Sequence, residues 1–128
     1  MRLLLDTCSF LWLASDAPEL SANARKLIAD PTNDVFLSAA SIWEIAIKYS
    51  RNRLGLDEPP VTLIPKERDA HRIADLPIDD EAALYTGLLP WHHGDPFDRM
   101  LVAQAIVHSL ILLSPDPLIR QYPVRTIW

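Results

Sequence analysis

Residues 95–116 read DPFDRMLVAQAIVHSLILLSPD, and the fold is decided there. Pro96 directly after Asp95 is a helix start, because proline at the first helical position loses no intrahelical bond and aspartate caps the free N–H groups before it. The helix is expected to run to about residue 108, with Met100, Leu101, Ala103, Ala105 and Ile106 available for packing. Residues 110–113, LILL, are uniformly apolar, as strands of parallel sheets are when both faces are covered. Asp116-Pro117 then repeats the Asp-Pro start and opens a short helical turn. A helix, a doubly buried strand and a new helix start in succession are the repeat of an α/β protein.

The same alternation extends outward. Residues 2–5 form a short buried strand and residues 7–14 follow with helical spacing. Ser21 caps a helix over 22–29, which Asp30-Pro31 ends. Residues 35–37 are a second strand. Ser38 or Ser41 caps the next helix, which runs to about residue 52 with Ile42, Trp43, Ala46, Ile47 and Tyr49 at helical spacing. Gly55 and Pro59-Pro60 close this half. A helix over 63–74 has Pro65 near its start, Asp79 or Asp80 caps another over 81–89, and 90–94 is a loop. Residues 124–128 form a last edge strand. The expectation is one α/β domain over 1–128, a short central parallel sheet flanked by helices, with 63–92 wholly helical as a flank or arm. No repeat, low-complexity tract or internal linker interrupts it.

Composition narrows the function classes. The chain has 128 residues, 49% of them apolar and 23% charged, the balance of a globular domain. Its formal net charge of −5 argues against a general basic nucleic-acid binder. It leaves room for a nuclease, whose metal site needs carboxylates. Three glycines in no phosphate-cradling pattern exclude a P-loop and a dinucleotide fingerprint. Cys8 is the single cysteine, which excludes an internal disulfide and a cysteine zinc site. It is expected to be a small buried apolar side chain, and a reducing cytoplasm fits. Asp6 interrupts the apolar opening after three leucines, so neither a signal peptide nor a membrane span is expected there.

Four acids fall at the punctuation points: Asp6, Glu44, Asp98 and Asp116. Each lies just past a strand or in the first turns of a helix, where a parallel sheet presents side chains at its carboxyl edge. Each also has a structural alternative. Asp6 and Asp116 are N-caps in waiting, and Glu44 stands four residues before Lys48 as a helix ion pair. Asp95 takes the N-cap of its helix, which leaves Asp98, at the third helical position, as the favoured ligand and Asp95 as its alternative. Four caps on one edge would crowd negative charge, and a divalent cation relieves that repulsion. Oxygen-only ligands favour Mg²⁺ or Mn²⁺ over zinc. His92 and His93 are adjacent in a loop and His71 and His108 lie on helices, so the histidines form no zinc pattern.

LLLDTCSFLWL, SAASIWEIAIKYSRNRL and HHGDPFDRMLVAQAIVHSLILLSPD together resemble the PIN-domain ribonucleases, specifically the VapC-type toxins of toxin–antitoxin pairs. The match covers nearly the whole chain, and the DPFDR stretch placed after WEIAIK is its specific signal. The resemblance implies a PIN-like fold and Mg²⁺- or Mn²⁺-dependent RNA cleavage, with Asp6, Glu44, Asp98 and Asp116 as first to fourth acids. It also implies neutralisation by a VapB-like antitoxin, and a homodimer. Cys8 stands where such proteins often carry a polar residue, and Gly94 replaces the basic residue common before DPFDR. Lys48, Arg51, Arg53 and Arg99 are candidate contacts for RNA phosphates, and the Ser114 hydroxyl a further one toward a water in the site. The competing classes are a Mg²⁺-binding phosphoacceptor and a non-catalytic binding module. The first usually needs adjacent acids after the opening strand, whereas Thr7 follows Asp6.

Overall fold

Three consecutive leucines are all buried only where both faces of their strand are covered. In a computed structural model that describes residues 1–128, Leu3, Leu4 and Leu5 are each fully buried. They belong to β1 (Arg2–Leu5), the middle of a five-stranded sheet completed by β2 (Asp34–Ser38), β3 (Ile73–Leu76), β4 (Ile111–Leu113) and β5 (Thr126–Ile127). The order is β3-β2-β1-β4-β5 and every pair is parallel. Alternate residues feed opposite faces, as the two-residue period of a strand requires. Leu3, Leu5, Val35, Leu37, Ile111 and Leu113 join one apolar cluster, and Leu4 and Leu112 the other. Against the first face pack α1 (Thr7–Ala14), α2 (Ala22–Ala29), α3 (Ala39–Ser50) and α4 (Pro60–His71), through residues such as Phe10, Ile28, Ile45 and Ile64. Against the second pack α6 (Pro96–Val107) and α7 (Pro117–Arg120), through Leu101, Val102 and Ile119. The intervening α5 (Asp80–Tyr85) lies on α6.

The register sets the site. Leu5 pairs with Leu37 on one side and Leu113 on the other, so β1, β2 and β4 end level. The chain winds outward through β2 and β3, then returns to pair β4 with β1 and continues to β5. Between β1 and β4 the winding reverses, and a crevice opens there at the carboxyl ends.

One segment departs from the expected reading. Residues 63–92 are not wholly helical, because β3 pairs with β2 in parallel over Ile73–Leu76. Two signals hid it. The helix before it ends at Arg72 in the left-handed region (φ 53°), where a glycine would ordinarily announce the stop. The strand itself lies on the edge, with Ala74 and Asp75 exposed, so its apolar pattern is weak. The Pro59-Pro60 pair, expected to break the chain, instead starts α4. Pro65 then falls inside that helix, past the turn in which a missing N–H is harmless. The expected helix over 81–89 is shorter, α5 giving way to a 3-10 turn at Thr86–Leu88. The caps at Ser21, Ser38, Asp79, Asp95 and Asp116 all accept backbone N–H groups on their side-chain oxygens, as expected.

A buried polar link joins the layers. Gln104 on α6 is fully buried; its Oε1 meets the Ser38 hydroxyl at 2.5 Å and its Nε2 donates to the Pro77 carbonyl at 3.1 Å. Truncation strands the buried Ser38 hydroxyl, frees the Pro77 carbonyl and leaves a cavity, so Gln104→Ala is expected to lower unfolding free energy by about 2–4 kcal/mol. Urea denaturation checks this. No helix is long and apolar enough to cross a membrane.

Candidate active site

Because β1, β2 and β4 end level, the residues that follow them meet. Asp6, Thr7, Cys8, Glu44, Lys48, Asp95, Asp98 and Asp116 line one crevice of about 390 Å³. The four acids picked out by position are therefore brought together, and so is the alternative, Asp95.

Capping and site-building prove compatible, since a carboxylate has two oxygens. Asp6 Oδ1 accepts the Ser9 N–H at 2.7 Å and caps α1. Asp116 Oδ1 caps α7 through Leu118 N–H at 2.9 Å. Asp95 Oδ1 takes the N–H groups of Phe97 at 2.9 Å and Asp98 at 3.2 Å. In each case one oxygen holds the side chain at a helix start and the other is spared that task. Asp98, one turn into α6, carries no capping duty.

Glu44 is buried, at 5% exposure, in the second turn of α3. The Lys48 ion pair is present at 2.5 Å, on Oε2. On Oε1 the Thr7 hydroxyl sits at 2.7 Å, with the Ser41 hydroxyl a further 3.0 Å from Thr7. A carboxylate only accepts, so Thr7 gives it the proton and Ser41 donates to Thr7 in turn. The residue after Asp6 thus serves Glu44.

The electrostatics record burial first and crowding second. Burial, chiefly, raises the Asp6 carboxyl above its ordinary range; hydrogen bonds from Ser114 and Ser9 oppose the rise and the charge of Asp116 adds to it. Asp98 is pushed up to about 6, first by burial and then by the charge of Asp95, with a His93 hydrogen bond pulling the other way and Glu44 adding to the rise. No three acids, histidines or cysteines are drawn tightly enough to hold an ion by themselves.

Several expectations need correction. Arg99 does not reach for phosphate: it is 3% exposed, and its guanidinium donates to the Pro90, Thr86 and Leu89 carbonyls and to the Tyr122 hydroxyl. The Trp91 ring covers it at 3.7 Å. Ser114 is fully buried, so it serves Asp6 and the Asp116 N–H, which it accepts at 3.1 Å, rather than a substrate. Cys8 is exposed, not buried, because α1 turns it toward the crevice. Desolvation within that wall, with the charges of Asp6 and Glu44, raises its thiol to about 11, so it is a poor nucleophile. Trp43 is 59% exposed. Arg51 and Arg53 are exposed past the end of α3 and do not line the crevice; Lys48 does. His93, read as a loop residue, places Nε2 3.3 Å from Asp98 Oδ2 and Nδ1 2.7 Å from the Tyr122 hydroxyl. No spacing rule links position 93 to position 122, so this contact was hidden.

The family model described as PIN domain matches residues 3–124. Ribonuclease VapC22 of Mycobacterium tuberculosis is 28% identical over 130 residues, covering 98% of this chain and 97% of that protein. Ribonuclease VapC16 of the same organism is 42% identical over 52 residues, 38% of this chain and 37% of that protein. Among solved structures, VapBC2 from Rickettsia felis bound to a DNA fragment from its promoter superposes with a TM-score of 0.76 at 16% identity, covering 99% of this chain and 98% of that one. VapBC-1 from nontypeable Haemophilus influenzae gives 0.66 at 16% identity, with 99% and 97% covered. At such identities the likeness is one of fold.

Proposed function

This chain belongs to the PIN-domain family, and on that premise we propose that it is a Mg²⁺- or Mn²⁺-dependent endoribonuclease, the toxin of a toxin–antitoxin pair acting in the cytoplasm. The observation that carries the reading is the meeting of Asp6, Glu44, Asp98 and Asp116, from four separate parts of the chain, in one crevice. The name of the full-length relative, a ribonuclease, supports the reaction class.

The donor set fits a hard cation. Every candidate ligand is a carboxylate, and Mg²⁺ keeps several waters and needs only one or two protein carboxylates. That agrees with acids that face one crevice without closing on a point. Burial first, and neighbouring carboxylates after it, raise the carboxyls of Asp6 and Asp98, and a bound cation would favour their charged forms. Asp6, Glu44 and Asp98 would hold the ion, with Asp116, or Asp95, completing its surroundings. Such an ion supplies charge that polarises a phosphoryl oxygen and acidifies water.

The chain's own groups do the rest. Thr7 and Lys48 fix both oxygens of Glu44, and the Ser9 N–H fixes Asp6. Lys48, half-exposed on the crevice wall, is placed to meet an RNA phosphate, with Arg51 and Arg53 farther along the path. For the antitoxin, a VapB-like partner, the proposed seat is a groove lined by Leu11, Trp12, Leu54, Leu56 and Leu63, with Asp57, Glu67 and the Glu58–Lys66 ion pair beside them. An apolar segment bearing Arg or Lys suits it.

Cleavage of RNA by the purified chain in Mg²⁺, abolished by chelator and restored by added metal, is the expected result. Asp6→Asn prepared in parallel should be inactive, which separates the chain's activity from a contaminating ribonuclease. Equal cleavage by Asp6→Asn and the parent protein would defeat the proposal.

A further inference from the structure

We infer that His93 is a positioning residue for Asp98, its ring fixed by a hydrogen-bond chain from Arg99 through Tyr122 so that Nε2–H donates to Asp98 Oδ2. The inference rests on Asp98 being a ligand of the divalent ion.

The protons around Tyr122 can be counted. The Tyr122 hydroxyl, on a residue only 3% exposed, lies 3.1 Å from Arg99 Nη1 and 3.3 Å from the His93 backbone nitrogen. Both of those groups only donate, so they occupy the two lone pairs of the phenol oxygen. The single phenol proton then has two acceptors in reach, His93 Nδ1 at 2.7 Å and the His93 carbonyl at 3.3 Å. The ring nitrogen is the closer. A neutral imidazole that accepts at Nδ1 carries its proton at Nε2, and Nε2 is the atom 3.3 Å from Asp98 Oδ2.

Arg99 starts the chain because it is held by backbone. It is tied to the Pro90 and Thr86 carbonyls at 2.8 and 2.9 Å, so it cannot swing away from Tyr122. The His92 ring packs edge-on against Tyr122 at 4.9 Å and limits that ring too. The His93 side chain is 12% exposed and that of Asp98 19%, so little water competes for the last bond. One oxygen of Asp98 is thereby held, and the other is left for the ion. Partners of this kind set the orientation and affinity of metal-binding side chains.

The test has two readouts on the intact chain. In chelator at pH 8, ¹⁵N correlation spectra of the four histidines should show the His93 proton on Nε2. Tyr122→Phe should shift it toward Nδ1. In Mn²⁺ titrations followed by electron paramagnetic resonance, His93→Ala should bind about 10–100-fold more weakly. His93→Gln, whose amide nitrogen reaches the place of Nε2, should recover part of the loss. A wild-type proton on Nδ1, or equal Mn²⁺ affinity in His93→Ala and wild type, overturns the inference. A wild type that binds no Mn²⁺ removes the metal reading and this role together. One that binds Mn²⁺ as tightly without His93 overturns the positioning alone.

Discussion

Asp98→Asn is expected to abolish cleavage while making the metal-free protein more stable at pH 8. Both effects have one cause, a carboxylate kept in a place that suits neutrality better. Burial, then the charge of Asp95, raises Asp98 from 3.8 to about 6, with His93 and Glu44 acting in opposite senses after them. The folded value lies above the unfolded one. Below about pH 4 the group is protonated in both states and costs nothing. Between about 4 and 6 the unfolded chain ionises first, and stability falls as pH rises. Above about 6 both forms are ionised and the whole penalty stands. At about 1.36 kcal/mol per pKa unit, discounted for the partial exposure of the site, the penalty is ~2 kcal/mol. Asparagine cannot ionise, so it removes that cost. In chelator, its urea midpoint should exceed wild type at pH 8 and the two should converge near pH 4. Added Mg²⁺ should stabilise wild type far more than the variant, since only a ligand-bearing fold gains from binding. Cleavage should drop by about 100-fold or more if Asp98 is a ligand as proposed, because removing a ligand costs more than removing a residue that merely orients one. A variant less stable than wild type at pH 8, or one that still cuts RNA, contradicts the assignment. A functional site less stable than its neutral replacement is the usual trade between activity and stability.

What the sequence disclosed about this fold and site follows from which interactions are local. The Asp-Pro starts at 95–96 and 116–117 were readable because a cap and its helix lie within three residues. The runs at 3–5 and 111–113 were readable because a doubly covered strand leaves no polar position. β3 was not, since Arg72 ends α4 without a glycine and Ile73 is the one buried residue of the edge strand. The four acids were legible as positions, because a parallel sheet sends every strand end to the same edge. Their partners were not: Thr7 meets Glu44 across 37 positions and His93 meets Tyr122 across 29. Charge alone misled at Arg99. An arginine beside an acidic motif invites a phosphate, and nothing local announces that backbone carbonyls already surround it.

Arg99→Ala is accordingly expected to act on stability before it acts on RNA. Arg99 is a buried cation with no carboxylate partner; carbonyls of the segment 86–90, the Tyr122 hydroxyl and the Trp91 ring stand in for one. Charge-assisted hydrogen bonds are worth about 1.5–3 kcal/mol each when the group is out of water, and desolvating the guanidinium offsets much of that. Its removal strands the carbonyls and empties the space between α6 and the segment 86–91. A loss of about 3–5 kcal/mol is expected, a large part of the 5–15 kcal/mol by which an ordinary domain stays folded. Arg99→Lys keeps the charge but not the planar fork or the stacking, so it should recover less than half. A phosphate-binding arginine predicts the reverse: an unchanged urea midpoint with weakened RNA binding. The split also reaches the proposed metal site. With Arg99 gone, Tyr122 loses a fixed donor and the loop that carries His93 loses its tether, so the fraction that remains folded should bind Mn²⁺ more weakly even though position 99 touches no ligand. Denaturation and Mn²⁺ titration of the same preparation measure both, and a variant with full stability and reduced RNA affinity would return Arg99 to the substrate.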